Sequence, residues 1–189
     1  GPFPTVMAEQ ILKEHSVDVC VRGEGEVTFA ELVKAYTEKT DIGSIPGLVF
    51  RKNGKIVETD KRVLVSNTDT LPFPAWDLID FTRYKGSYQF KARPNTAIIT
   101  SRGCPFDCVF CANAVWKLSK PWLRMRSTAN VCDEIALLHN MGIREISIRS
   151  GVTSLNRAMT FTPSAEAKKF TKSSASFSAA PLRRSIPAS

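Results

Sequence analysis

No stretch of this sequence stays apolar long enough to cross a membrane, and none pairs a basic start with an apolar run as a secretory signal does. Cysteine is present in an odd number, five, which suits a disulfide framework poorly. Together these absences point to a reducing, cytoplasmic setting. Acidic residues are scarce at one end: from Gly151 to Ser189 there are six Lys or Arg against one Glu. That segment carries +5 of the formal net charge of +8 and leaves 20 basic against 17 acidic residues before it. The body has no basic stripe interleaved with aromatics, so a nucleic-acid partner is not expected. A length of 189 residues and 43% hydrophobic content allow one full domain or parts of two.

Against this background the stretch Ser101-Arg102-Gly103-Cys104-Pro105-Phe106-Asp107-Cys108-Val109-Phe110-Cys111 stands out. Three cysteines on one short loop would bury little as core residues, whereas three thiolates can converge on one metal group. The stretch resembles the signature of the radical S-adenosylmethionine (SAM) enzymes, Cys-x-x-x-Cys-x-aromatic-Cys, at every specified position. The resemblance implies that Cys104, Cys108 and Cys111 ligate a [4Fe-4S] cluster and leave one iron open for the amino and carboxylate groups of SAM. It also implies that Phe110 packs beside the cofactor. Gly103 would give the turn its freedom.

Before this loop, the spacing predicts a helix from Met7 to Glu14 with Thr5 as its cap, then a strand from Val17 to Val21. A glycine turn, Arg22-Gly23-Glu24-Gly25-Glu26, leads to a second helix from Thr28 to Tyr36 whose apolar positions are Phe29, Leu32, Val33 and Tyr36. Helix–strand–turn–helix is the expected closing half of a doubly wound α/β domain. Gly1-Pro2-x-Pro4-Thr5 and the glycine turn resemble the end of the cobalamin-binding domain that precedes the core in one subgroup of radical SAM enzymes. By that resemblance Gly1, Gly23, Glu24 and Gly25 lie on the cobalamin side. The subgroup's cobalt-ligating histidine has no counterpart, since His15 stands in a different context and reads as a surface residue. Without the resemblance, the glycine turn reads as a solvated turn whose two glycines serve backbone geometry.

Asn53-Gly54 between two apolar-bearing runs predicts a hairpin bridging two domains. Lys61 to Arg93 reads as a packed linker resembling the segment before the core in the same subgroup. Its Trp76 and Tyr84 are placed by packing or in a substrate cleft. Ala97 to Thr100 is the expected first strand of a barrel, with the cysteine loop at its C-terminal end. Trp116 and Trp122 flank a basic stretch, Lys117 to Arg126, that is placed over the cluster. Ser127 or Thr128 caps a helix to about Met141, with Val131, Ile135 and Leu138 inward and Gly142 as its stop. Arg144 to Ile148 is the expected second strand.

The fold expected is therefore α/β: residues 1–44 as the C-terminal part of a doubly wound cobalamin-binding-like domain and 45–94 as hairpin and linker. Residues 95–149 form the first strand–helix–strand unit of a partial (β/α) radical SAM barrel. Residues 150–189, rich in Ser, Ala and Thr, are expected to be a disordered tail foreign to the family, read in a shifted frame. The resemblance implies reductive cleavage of SAM to a 5′-deoxyadenosyl radical for C–H activation or methyl transfer, with cobalamin as a candidate second cofactor. A small-molecule substrate and a reductant protein would be the partners. Two strand units cannot close a barrel, so this polypeptide by itself is expected to be inactive. Two alternatives use the same thiols: a structural zinc module completed by Cys132 or His139, and an electron-transfer iron–sulfur protein with Cys20 or Cys132 as fourth ligand. In the first, Cys132 competes with its reading as a small core residue on the helix, and His139 with a position near the surface.

Overall fold

Two prolines in the first turn, where backbone N–H groups have no intrahelical acceptor, start the chain as a helix. The computed structural model describes residues 1–84, 90–111, 115, 117, 118 and 120–149, and the backbone of 157–160. Helix α1 (Pro2–Glu14) has Gly1 as its N-cap and a non-helical Met7 that kinks it. It begins earlier than the spacing predicts, so Thr5 is not the cap. Its hydroxyl donates to the Gly1 carbonyl at 2.6 Å and accepts the Gly23 N–H at 2.8 Å.

Strands β1 (Val19–Val21), β2 (Leu48–Lys52) and β3 (Lys55–Glu58) form one antiparallel sheet in the order β1-β2-β3. Asn53 (φ 52°) and Gly54 (φ 74°) make the two-residue hairpin turn, with Lys52 opposite Lys55. Both residues sit in the left-handed region that this turn demands. The hairpin completes the sheet that β1 begins, which joins strands on both sides of residue 44.

Three consecutive residues of β2, Leu48, Val49 and Phe50, are buried, because both faces of the strand are covered. Val49 packs with Cys20 under Ala8, Ile11 and Leu12 of α1. Leu48 and Phe50 pack with Leu32 and Ala35 of α2 (Glu26–Glu38) and with Ile45. Helices cover both faces of this sheet, and its pairing is antiparallel, as a two-residue turn requires. The inward face of α2 also differs from expectation: Thr28, Leu32 and Ala35 point in, while Phe29, Val33 and Tyr36 are exposed. Thr28 is drawn inside by polar partners, donating to the Pro46 carbonyl and accepting from Arg62 Nε at 2.6 Å.

The second sheet has β7 (Glu145–Arg149) at its centre, parallel to β4 (Asn95–Ile99) and antiparallel to β8 (Arg157–Thr160). Helix α3 (Thr128–Asn140) feeds β7, and the Ser127 hydroxyl caps it by accepting the Asn130 N–H at 3.2 Å. Gly142, at φ 88°, turns the chain after it. Leu138, Ile143, Ile146, Ile98 and Trp76 form the core, with Val131 and Ile135 packed against it. Thus Trp76 is a packing residue, while Tyr84 is exposed and touches only Phe81 among the described rings. The tail is not wholly without structure: β8 pairs four of its residues with β7. Ser150, Gly151 and 161–189 lie outside the described residues, as does Trp116.

Two buried carboxylates tie the linker to this sheet. Glu145 accepts the backbone N–H groups of Lys91 and Ala92, each at 2.6 Å. Glu134 on α3 accepts from Trp76 Nε1 at 2.9 Å and pairs with Arg126. Among the described residues no helix is long and apolar enough to cross a membrane.

Candidate metal centre at the cysteine loop

One residue beyond β4 the chain enters a two-stranded ribbon, β5 (Ser101–Gly103) paired antiparallel with β6 (Leu123–Met125). The cysteine loop leaves the end of β5 and the chain returns through β6, so the ribbon clamps both ends of residues 104–122. Gly103 sits at φ 80°, the freedom expected of it at the start of the loop. Cys104 is half-buried, Cys108 and Cys111 are exposed, and none of the five cysteines forms a disulfide. The Cys111 N–H donates to the Cys108 carbonyl at 3.0 Å, a tight turn between the second and third thiols.

Among the described residues no three His, Cys, Asp or Glu side chains converge in a group that could hold a metal ion. The loop carries the three thiols without drawing them to a point. Their chemistry suits an iron–sulfur group: three soft sulfur donors on one short loop, none of them in a disulfide. Phe110 is 90% exposed.

Of the basic stretch, Lys117 reaches the cysteine loop, whereas Arg124 and Arg126 pair away from it with Glu24 and Glu134. Lys117 pairs with Asp107 and lies 4.4 Å from the centroid of the Trp122 ring, with Lys120 at 5.2 Å from the same ring. Cys132 is half-buried on α3, and His139 is exposed in its last turn. Cys20 belongs to the other sheet, where its thiol faces the Ala8 carbonyl at 3.8 Å and burial pushes its pKa up. A buried protonated thiol in a separate core is no fourth ligand.

The residues on the expected cobalamin side meet one another. The Gly1 amine donates to the Gly23 carbonyl at 3.2 Å, and Thr5 binds the Gly23 N–H. Gly23 (φ 70°) needs its glycine, whereas Gly25, the N-cap of α2, has an ordinary φ of −90°. The turn is solvated on one side only: Glu26 is exposed, and Arg22 to Gly25 are partly buried. The Glu24 side chain is 18% exposed and takes a bidentate pair from Arg124, at 2.6 and 2.9 Å. Arg102 reaches Glu26 at 2.5 Å and Glu24 at 3.6 Å. Burial works to raise the Glu26 pKa, but the hydrogen bond and charge of Arg102 outweigh it and hold the carboxyl below its ordinary range. Sequence reasoning missed Arg102 and Arg124 because their partners lie 76 and 100 residues away.

No protein-family model matches the chain. Curated relatives do. An uncharacterized methyltransferase of Pyrococcus horikoshii is 38% identical over 159 residues, 83% of this chain and 33% of the relative. The anaerobic magnesium-protoporphyrin IX monomethyl ester cyclase of a Synechocystis strain is 32% identical over 84% of this chain and 31% of its own length. By sequence the chain is homologous to about a third of each of these methyltransferase and cyclase chains. Those homologues are enzymes. The radical SAM methyltransferase TsrM of Kitasatospora setae, solved with tryptophan and a SAM analogue, has the same fold over 81% of this chain and 29% of its own. The TM-score is 0.60 at 21% identity. Its structure with cobalamin and a [4Fe-4S] cluster superposes with a TM-score of 0.55. The chain spans about a third of the length of the curated relatives named here.

Proposed function

We propose that this chain carries the cluster-binding loop of a radical SAM enzyme of the cobalamin-associated subgroup, acting in methyl transfer or C–H activation. The observation that carries the reading is the placement of three thiols outside any disulfide, Cys104, Cys108 and Cys111, on one loop after the parallel strand β4. When bound, a [4Fe-4S] cluster with three protein ligands supplies the electron that cleaves SAM to a 5′-deoxyadenosyl radical. The chain's own contribution is to present the thiols and to clamp the loop ends. The Lys117–Trp122 contact folds the returning strand back along the loop. Gly1, Gly23 and Gly25 offer close backbone approach on the side proposed for cobalamin. Glu24 is committed to Arg124 and would act there through that pair. The domain reading follows: the first sheet with α1 and α2 belongs to the cobalamin-binding part, and β4, α3 and β7 begin the barrel. A reductant protein and a small-molecule substrate complete the proposed system, in a cytoplasmic setting.

Anaerobic reconstitution with iron and sulfide tests this, with metal analysis and EPR in the presence and absence of SAM. The expected result is iron-bound protein whose EPR signal changes with SAM. Serine in place of Cys104, Cys108 or Cys111 should abolish iron uptake, and Cys132→Ser should leave it intact. Uptake of zinc in preference to iron, or dependence on Cys132, would overturn the proposal.

A further inference from the structure

Arg102 and Arg124 are cross-strand partners in the ribbon that closes the cysteine loop. Like charges directly opposite one another in an antiparallel pair repel, and this ribbon has only three residue pairs with which to resist. The Arg124 side chain is 5% exposed and that of Arg102 30%, so water screens the repulsion weakly. The neutralising carboxylates come from elsewhere in the fold. Glu24 sits between the two guanidiniums, and Glu26 takes the outer side of Arg102. Two positive and two negative charges then balance, and Arg124 also donates to the Val65 carbonyl at 2.8 Å.

We infer that Glu24 is a positioning residue for the cysteine loop: its carboxylate holds β5 against β6 and so fixes the separation of the loop's two ends. The inference rests on the cluster-binding reading only for its functional consequence; the clamp itself is a property of the chain without metal. Cys104 follows β5 with only Gly103 between it and Arg102, so fraying of β5 displaces the first thiol before the others. The glycine turn thereby acquires a role of its own. Gly23, held by Gly1 and Thr5, places Glu24 at the ribbon, and the first sheet is linked to the loop through that carboxylate.

The test compares the full chain with Glu24→Gln and with Glu24→Gln/Arg124→Gln. In the metal-free chain, the amides of 101–103 and 123–125 should exchange about tenfold faster in Glu24→Gln, and Cys104 should alkylate faster by a similar factor. Loss of one charge-assisted pair between poorly solvated groups is of that order. Removing the second arginine charge should restore much of the protection, because Arg102 keeps Glu26. Amide exchange in β2 and α3 should not change, which separates a released ribbon from an unfolded chain. Equal exchange in Glu24→Gln and the parent would overturn the inference, as would a double variant no better protected than the single. Chelator-driven iron loss from reconstituted protein should follow the same order. A parent chain that takes up no iron would defeat the cluster reading, while the exchange comparison still decides the clamp.

Discussion

Replacing Glu134 by alanine should destabilise the β4–β7 unit severely, because this fully buried carboxylate serves two partners, Trp76 and Arg126. Its Oε1 accepts from the buried Trp76 indole at 2.9 Å, and Oε2 pairs with Arg126, whose side chain is 13% exposed. Orphaning the indole N–H is worth about 1–3 kcal/mol, and breaking a buried ion pair from one side about 3–5 kcal/mol in total. Arg126 retains the Ile99 carbonyl at 2.9 Å and the Asn130 side chain at 2.6 Å, which places the expected loss near the lower end, about 3 kcal/mol. For a chain of this size that is a fall in Tm of roughly 6–12 °C. Glu134→Gln keeps the carbonyl oxygen for Trp76 and loses the charge, so it should fall between the parent and alanine. Thermal unfolding followed by far-ultraviolet circular dichroism and tryptophan fluorescence reads the order. Glu134→Ala/Arg126→Ala should lose less than the two single variants summed, since each already breaks the same pair. A Glu134→Ala variant melting within about 2 °C of the parent, roughly half a kcal/mol, would refute the reasoning.

Other outcomes follow from local geometry. Gly54→Ala has room for its methyl group, with no atom within 4 Å, yet φ 74° disfavours any L side chain. It should therefore lower stability by about 1 kcal/mol through the backbone alone, seen as a small fall in the denaturation midpoint. Hydrogen bonds from Ser127, side chain first and then backbone, hold the Asp69 pKa below its ordinary 3.8, so its folded-state pKa is the lower one. Stability from this contact is present above the unfolded value and fades as pH falls through the folded one. Asp69→Asn should flatten the acid limb of an unfolding titration; an unchanged limb would show that Asp69 contributes nothing to it.

The elements legible in the sequence are those fixed by neighbours in the chain. Asn53-Gly54 sets its turn by its own backbone preferences, and Ser127 caps α3 through an N–H three residues on. The inward face of α2 was illegible because Thr28 is buried by a polar contact with Arg62, which hydrophobic spacing cannot register. The three thiols could be read from spacing, but the clamp beneath them could not. Glu24 and Arg124 look like surface charges until folding brings them together across 100 residues. The antiparallel order of the first sheet was likewise hidden, since β1 gives no sign of the partner it takes.

Strand β8 has a consequence for how the second sheet can grow. It occupies the edge of β7 opposite β4, using the backbone groups of 145–148. A sheet edge is a single row of donors and acceptors, and two strands cannot use it together. Any further strand on that side must first displace 157–160, so growth of the sheet there is an exchange of one strand for another. The short segment is thus a plug in the growth edge: while it is seated, the side of β7 away from β4 is closed to any other strand.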